Sequence, residues 1–120
     1  MAKRILVIDD EPEFTEIMEE WLTYEGYEVD IAVNGLEGME KVEQVKPDII
    51  LLDLQMPVMD GAEFYKIIKS NKNYYEIPII IVTARTTAKD RVEVVGVDLF
   101  VTKPVSFEDL KEKIDSLTWD

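Results

Sequence analysis

The chain has 120 residues, of which 47% are hydrophobic and 32% are charged, and its net charge is −13. This length suits one domain, residues 1–120, and the composition favours a packed core over disorder. The absence of cysteine and histidine excludes disulfides, thiolate metal sites and histidine-dependent catalytic pairs. An acidic surface repels nucleic acid and anionic lipid, and no apolar run approaches the ~20 residues of a membrane span. We therefore expect a cytoplasmic protein without direct nucleic-acid or membrane contact.

Five short apolar runs, each suited to a buried strand, alternate with longer segments of helical spacing. The runs cover residues 5–8, 29–33, 49–52, 79–82 and 99–101. Apolar residues recur at helical spacing after four of the runs: Phe14, Ile17, Met18, Trp21 and Leu22; Leu36, Met39 and Val42; Phe64, Ile67 and Ile68; Phe107, Leu110, Ile114 and Leu117. The fourth predicted helix, in "TTAKDRVEVV" at 86–95, is the weakest because its β-branched residues disfavour a helix slightly.

Start and stop signals agree with this division. A capping residue precedes an acid by three positions at each predicted helix start: Asp10 and Glu13, Asn34 and Glu37, Asp60 and Glu63, Thr87 and Asp90, Ser106 and Asp109. Gly26 and Gly96 fall just past predicted helix ends. Five strand–helix units in succession predict an α/β, doubly wound parallel sheet with helices on both faces.

In such sheets, ligands bind beyond the carboxyl ends of the strands. The first strand ends at Asp9 and Asp10, the third at Asp53, the fourth at Thr83 and the fifth at Lys103. Each residue has a simpler explanation: Asp10 as a helix cap, Thr83 as a turn residue, Lys103 as a solvated lysine. Asp53 fits none of these, because the chain after it runs extended rather than into a helix. The joint pattern therefore favours a site.

Clustered carboxylates are ligands for a hard divalent cation such as Mg²⁺. A carboxylate can also act as a nucleophile toward phosphorus, which gives an acyl phosphate. A cation and a lysine would neutralise the transferred phosphoryl group, and a nearby hydroxyl could hydrogen-bond it. Glu11 has no evident role beyond favouring the positive end of the following helix.

Four segments, "ILVIDDE", "PDIILLDLQMPVMDG", "PIIIVTA" and "FVTKP", closely resemble the receiver domain of bacterial two-component response regulators. They run in family order from the first strand to the fifth. The resemblance implies one flavodoxin-like domain with strand order 2-1-3-4-5.

The resemblance also implies a role for each residue at the strand ends. Asp53 would be the phosphoacceptor, and Lys103 would pair with the phosphoryl group. Mg²⁺, for which Mn²⁺ is an expected substitute, would be held by Asp10 directly and by Asp9 partly through water. Asp53 and the backbone carbonyl of Gln55 would complete the protein ligands. These assignments follow from matching positions and not from spacing.

A switch is implied as well. Thr83 would donate its hydroxyl to the phosphoryl group, and Phe100 would rotate into the space that Thr83 leaves. The surface of the fourth predicted helix, the fifth strand and the fifth predicted helix would then change its preference for an output protein or effector domain. The Lys103–Pro104 bond would be cis. Gln55 and Arg85 match positions that tune the phosphoryl lifetime in the family.

The implied function is a phosphorelay switch and not a classical enzyme. Its phosphoryl donor would be the phospho-histidine of a histidine kinase or phosphotransfer protein, and Mg²⁺-dependent self-phosphorylation and self-dephosphorylation are expected. The segment before Lys103 is slightly short, and Leu99 stands where relatives often have an acid. Two alternatives remain. One is an adaptor with an unused pocket. The other is a cofactor-binding enzyme, although no G-x-G-x-x-G or Walker A run occurs, and a double-aspartate phosphatase would need an acid in place of Gln55.

Overall fold

The computed structural model describes residues 3–84 and 99–117, and in these it contains one parallel sheet flanked by helices. The strands are β1 (Arg4–Ile8), β2 (Glu28–Ala32), β3 (Ile49–Leu52), β4 (Ile79–Thr83) and β5 (Leu99–Thr102). The described helices are α1 (Pro12–Tyr24), α2 (Gly35–Val45), α3 (Gly61–Lys69) and a final helix (Phe107–Leu117). The fourth predicted helix, with Thr87, Asp90 and Gly96, lies outside the described residues, as does Arg85. Within the described ranges no helix is long and apolar enough to cross a membrane.

The strands are all parallel and lie in the order β2-β1-β3-β4-β5, so the predicted α/β class and strand order are confirmed. Ile8 lies between Ala32 and Leu52, and Thr83 lies opposite Thr102. This register aligns the carboxyl ends of β1, β3, β4 and β5 along one edge. The residues that follow these strands are therefore brought together.

Alternate residues of the central strands supply two separate cores, one on each face of the sheet. Leu6 and Ile8 pack in the core that includes Val42 of α2 and Phe64 of α3. Ile5 and Val7 pack on the other side, in the core that includes residues of α1 and the final helix. Because both faces are covered, the strands read as continuous apolar runs.

Four residues of the predicted helical stripes do not lie in these cores. Ile17, Leu36, Ile67 and Phe107 are 52%, 53%, 37% and 41% exposed. Each lies at the margin of its stripe, where the curved helix surface turns away from the sheet, so helical spacing alone overestimated the width of the buried face.

The predicted cap of α1 was wrong, whereas three others are present. The Asn34, Asp60 and Ser106 side chains accept hydrogen bonds from backbone N–H groups three residues on, at 2.8, 2.9 and 3.3 Å. At α1 the N-cap is Glu11, which makes no side-chain capping bond, and Asp10 lies one residue earlier. The reason is Pro12, which has no N–H to be capped and favours the first helical position.

The loop between β3 and α3 contains Val58 with a φ of 70°, in the left-handed region. A β-branched residue is strained there, and at 76% exposure it gains little from burial. We expect Val58→Asn to raise the free energy of unfolding by about 1 kcal/mol, because asparagine tolerates this conformation. Urea denaturation measures the change. The matched control is Val33→Asn at another exposed valine without a positive φ; equal gains from both variants would contradict the explanation by strain.

Candidate functional site

Three carboxylates meet at the carboxyl edge of the sheet. Asp9, Asp10 and Asp53 each offer one oxygen, and these oxygens lie within 4.8 Å of one another. Asp9 and Asp53 are 1% and 5% exposed, whereas Asp10 is open to solvent. Backbone hydrogen bonds continue past the strand ends, from Asp9 N–H to the Ala32 carbonyl and from Asp53 N–H to the Ile8 carbonyl, both at 3.0 Å. The sheet ladder therefore fixes the backbone of both buried acids.

A tight turn orients each buried carboxylate. Asp9 Oδ1 accepts the Glu11 N–H at 2.9 Å, and Asp53 Oδ1 accepts the Gln55 N–H at 3.2 Å. This bond to the residue two positions on is the usual turn of aspartate after a strand. It leaves Oδ2 of both carboxylates on the side of Lys103.

Lys103 places its ammonium group among the acids. Its Nζ lies 2.7 Å from Asp9 Oδ2, 2.5 Å from Glu11 Oε1 and 3.6 Å from Asp53 Oδ2. The Lys103 N–H donates to the Thr83 carbonyl at 3.0 Å, which extends the β4–β5 ladder to this residue. The Lys103–Pro104 peptide bond is cis. Lys103 Nζ also lies 4.3 Å from the centre of the Phe14 ring, a cation–π distance.

Burial and pairing act in opposite directions on these groups. Burial raises the pKa of Asp9, and the bonds from Lys103 and from the Glu11 N–H oppose that rise without cancelling it. For Lys103, burial lowers the pKa. Its hydrogen bonds to Asp9 and Glu11 and the charge of Asp53 outweigh burial, so the pKa is raised overall. Lys103 therefore stays protonated and supplies a fixed positive charge to the site.

A glycine allows α3 to begin against the loop that carries Asp53. Gly61 N–H donates to the Leu54 carbonyl at 3.0 Å. A Cβ at this position would collide with the carbonyl oxygen of Asp53 and with Leu54 Cα. The neighbouring Asp60 caps the same helix. In the "DG" pair, Asp60 thus caps the start of α3, and Gly61 allows the helix to approach the backbone of the loop that carries Asp53.

Thr83 and Phe100 lie on the same side of the sheet as each other. Thr83 is fully buried at the end of β4, and Phe100 is half-buried on β5 opposite Ile81. Because side chains alternate along a strand, Ile81 and Thr83 share a face, as do Phe100 and Thr102. Phe100 packs against the core that includes Ile8 and Phe64. Gln55 is exposed beside the acids.

Two contacts of the site were absent from the sequence-based predictions. Glu11 pairs with Lys103, and Phe14 lies under its ammonium group. No local signal reveals either contact, since Lys103 is more than 85 positions away in sequence. The only signal in the sequence for a role of Glu11 in the site is that it directly follows Asp9 and Asp10.

The fold and this edge define a doubly wound α/β protein with an acidic cluster and a partly buried lysine. Residues 5–115 match the family model of the response regulator receiver domain, and the chain belongs to this family. It is 36% identical over 116 residues to the transcriptional regulatory protein TrcR of Mycobacterium tuberculosis, a match covering 95% of this chain and 44% of that protein. The chain spans about half the length of the curated relatives it matches.

Solved structures agree with this family. The crystal structure of a CheY-like receiver domain protein from Methanospirillum hungatei is 34% identical, with a TM-score of 0.89 over 97% of this chain and 93% of that one. The receiver domain of the sensor histidine kinase PA1611 from Pseudomonas aeruginosa is 26% identical, with a TM-score of 0.87 and 98% of both chains covered. That structure has a magnesium ion coordinated in its active-site cleft. The resemblance identified from the sequence is confirmed.

Proposed function

We propose that this receiver domain is a phosphorylation-activated switch of a two-component phosphorelay, with Asp53 as the phosphoacceptor. The observation that carries the proposal is the position of the Asp53 carboxylate. It is almost buried, it lies near Asp9 and Asp10, and one of its oxygens is 3.6 Å from the Lys103 ammonium group. A nucleophile, a cation site and a fixed positive charge are thus adjacent.

The donor set suits Mg²⁺. Oxygen ligands from one or two carboxylates, with waters and phosphate oxygens completing the shell, are what this ion prefers. Asp9, Asp10 and Asp53 would hold it with the backbone carbonyl of Gln55, and Mn²⁺ would substitute. Bound there, the ion would supply positive charge to the oxygens of the transferred phosphoryl group. The magnesium ion in the cleft of the PA1611 receiver domain supports this assignment.

The chemistry is transfer of a phosphoryl group to a carboxylate. An Asp53 oxygen attacks phosphorus, the P–N bond of the donor phospho-histidine breaks, and the imidazole departs with the bonding electrons. Lys103 would pair with the phosphoryl oxygens, as its distance from Asp53 supports. The donor would be a histidine kinase or a phosphotransfer protein. Loss of the group by hydrolysis would return Asp53 to a carboxylate and reset the switch.

The response would reach the output surface through Thr83 and Phe100. The two side chains share a face of the sheet, and Phe100 lies opposite Ile81, two residues before Thr83 on β4. This arrangement supports a direct coupling of the two side chains. The Thr83 hydroxyl would donate to the phosphoryl group, and Phe100 would turn into the space released. The surface of β5, the final helix and the segment between β4 and β5 would then change its preference for an output protein or effector domain.

Asp53→Asn tests the phosphoacceptor. With acetyl phosphate and Mg²⁺, we expect the wild-type protein to gain the mass of one phosphoryl group, and the Asp53→Asn variant to gain none because an amide is a poor nucleophile. Chelating the metal should also prevent the gain. Intact-protein mass spectrometry measures the change, and Asp115→Asn, at an exposed carboxylate of the final helix, is the matched control.

Two results would contradict the proposal. One is an unchanged mass of folded wild-type protein, and the other is full phosphorylation of the Asp53→Asn variant. Partner binding that ignores phosphorylation and the phosphoryl analogue beryllofluoride would indicate instead an adaptor with an unused pocket. Flavin absorbance in the purified protein would indicate a cofactor-binding enzyme.

A further inference from the structure

Among the described residues, Glu11 is the carboxylate partner of Lys103 that the proposed function does not use. Its Oε1 lies 2.5 Å from Lys103 Nζ, closer than Asp9 at 2.7 Å or Asp53 at 3.6 Å. The Glu11 side chain is 61% exposed, whereas that of Lys103 is 13% exposed. The ammonium group is therefore held from the open side of the site by a carboxylate that can easily leave.

The local sequence directs Glu11 to this position. Pro12 restricts the residue before it to extended backbone, and Glu11 has φ −93° and ψ 107°. Its N–H is held by Asp9 Oδ1 at 2.9 Å. These two constraints fix the Glu11 backbone at the mouth of the site, beside the end of β5. Since Glu11 makes no capping bond to α1, its carboxylate is available to Lys103.

We propose that Glu11 is a positioning residue that competes with the phosphoryl group for the Lys103 ammonium and so holds the unphosphorylated site closed to anions. This inference rests on the proposed function, because the competing anion is the phosphoryl group on Asp53. A lysine ammonium has three N–H donors. Two are directed to Asp9 and Glu11, and the weaker approach to Asp53 leaves at most one for the incoming group.

Removing the Glu11 carboxylate should change the affinities of the site for anions and for cations in opposite directions. Removing its carboxylate frees Lys103 for a phosphoryl oxygen, so binding of a phosphoryl analogue should tighten. The freed lysine would also pair more closely with Asp9, a proposed metal ligand, so Mg²⁺ binding should weaken. A role in folding alone would shift neither affinity.

The experiment measures Mg²⁺ affinity by calorimetry with the metal alone, and beryllofluoride affinity at saturating Mg²⁺ by ¹⁹F NMR. For Glu11→Gln we expect beryllofluoride to bind about two- to fivefold more tightly and Mg²⁺ about two- to fivefold more weakly, the range of a partly exposed ion pair. The matched control Glu16→Gln removes the same charge from an exposed position of α1 and should change neither affinity.

Glu11→Asp separates contact from charge. Aspartate keeps the charge but is one methylene shorter, so it should lose the bond to Lys103 and tighten beryllofluoride binding as Glu11→Gln does. Wild-type affinity in Glu11→Asp, or equal shifts in Glu11→Gln and Glu16→Gln, would overturn the inference and leave the proposed function intact. A wild-type protein that binds no beryllofluoride would overturn both.

Discussion

Gly61→Ala is expected to lower the free energy of unfolding by about 3 kcal/mol, at the upper end of the cost of overpacking. The added Cβ would collide with the backbone carbonyl of Asp53 and with Leu54 Cα. Backbone atoms cannot rotate away as a side-chain end can, so the β3–α3 loop must move. Because that loop carries Asp53, the variant should also lose Mg²⁺ affinity. Urea denaturation and calorimetric titration measure the two effects.

Gly38→Ala is the matched control for this prediction. A Cβ at Gly38 would meet the Ile8 Cδ1 atom at 2.7 Å and Phe64 Cε2 at 3.1 Å, which are ends of side chains. Gly38 also lies inside α2, where alanine is favoured over glycine by about 1 kcal/mol. We expect a change in unfolding free energy within about 1 kcal/mol and no loss of Mg²⁺ affinity. A cost as large as that of Gly61→Ala would contradict the argument from backbone contact.

Lys103→Met should destabilise the metal-free protein by about 3 kcal/mol, because it removes the cation from two buried carboxylates. The negative charges of Asp9 and Asp53 would then lie close together without the positive charge of the lysine. Methionine keeps most of the side-chain volume, so the loss would report charge and not packing. Mg²⁺ should restore much of the stability and raise the melting temperature more than in the wild type. Without the competing lysine the carboxylates should bind the cation more tightly, and a ligand's stabilising free energy rises with the logarithm of its concentration over its Kd.

Thermal unfolding with and without Mg²⁺ measures this effect, and Lys111→Met is the control. Lys111 forms pairs with Glu25 and Asp115, but its side chain is 43% exposed. Exposed pairs of this kind contribute less than about 1 kcal/mol, and they should not respond to the metal. If Lys103→Met unfolds like the wild type in the absence of metal, then the lysine is not needed to stabilise the two buried carboxylates.

Much of the fold follows from local patterns. A few neighbouring residues determine each of three features: the apolar runs of the strands, the capping bonds of Asn34 and Asp60, and the φ of 99° at Gly26 after α1. The convergence of Asp9 and Asp53 also follows, because parallel strands place their carboxyl ends at one edge. Specific motifs such as "DLQMPVMDG" then identify the family.

Other features were decided by tertiary structure. The partner of Glu11 depends on how closely β5 and α1 approach, and that distance is a property of the packed sheet and not of either segment. The exposure of Ile17 and Phe107 depends on how far each helix turns away from the core. Gly61 is required by a backbone that passes over its Cα. The sequence by itself determined which side chains reach the carboxyl edge of the sheet, because hydrophobic periodicity and helix capping depend on a few neighbouring residues. The packed structure alone decided which of these side chains pair, because ion pairing and steric fit depend on distances between segments that are far apart in sequence.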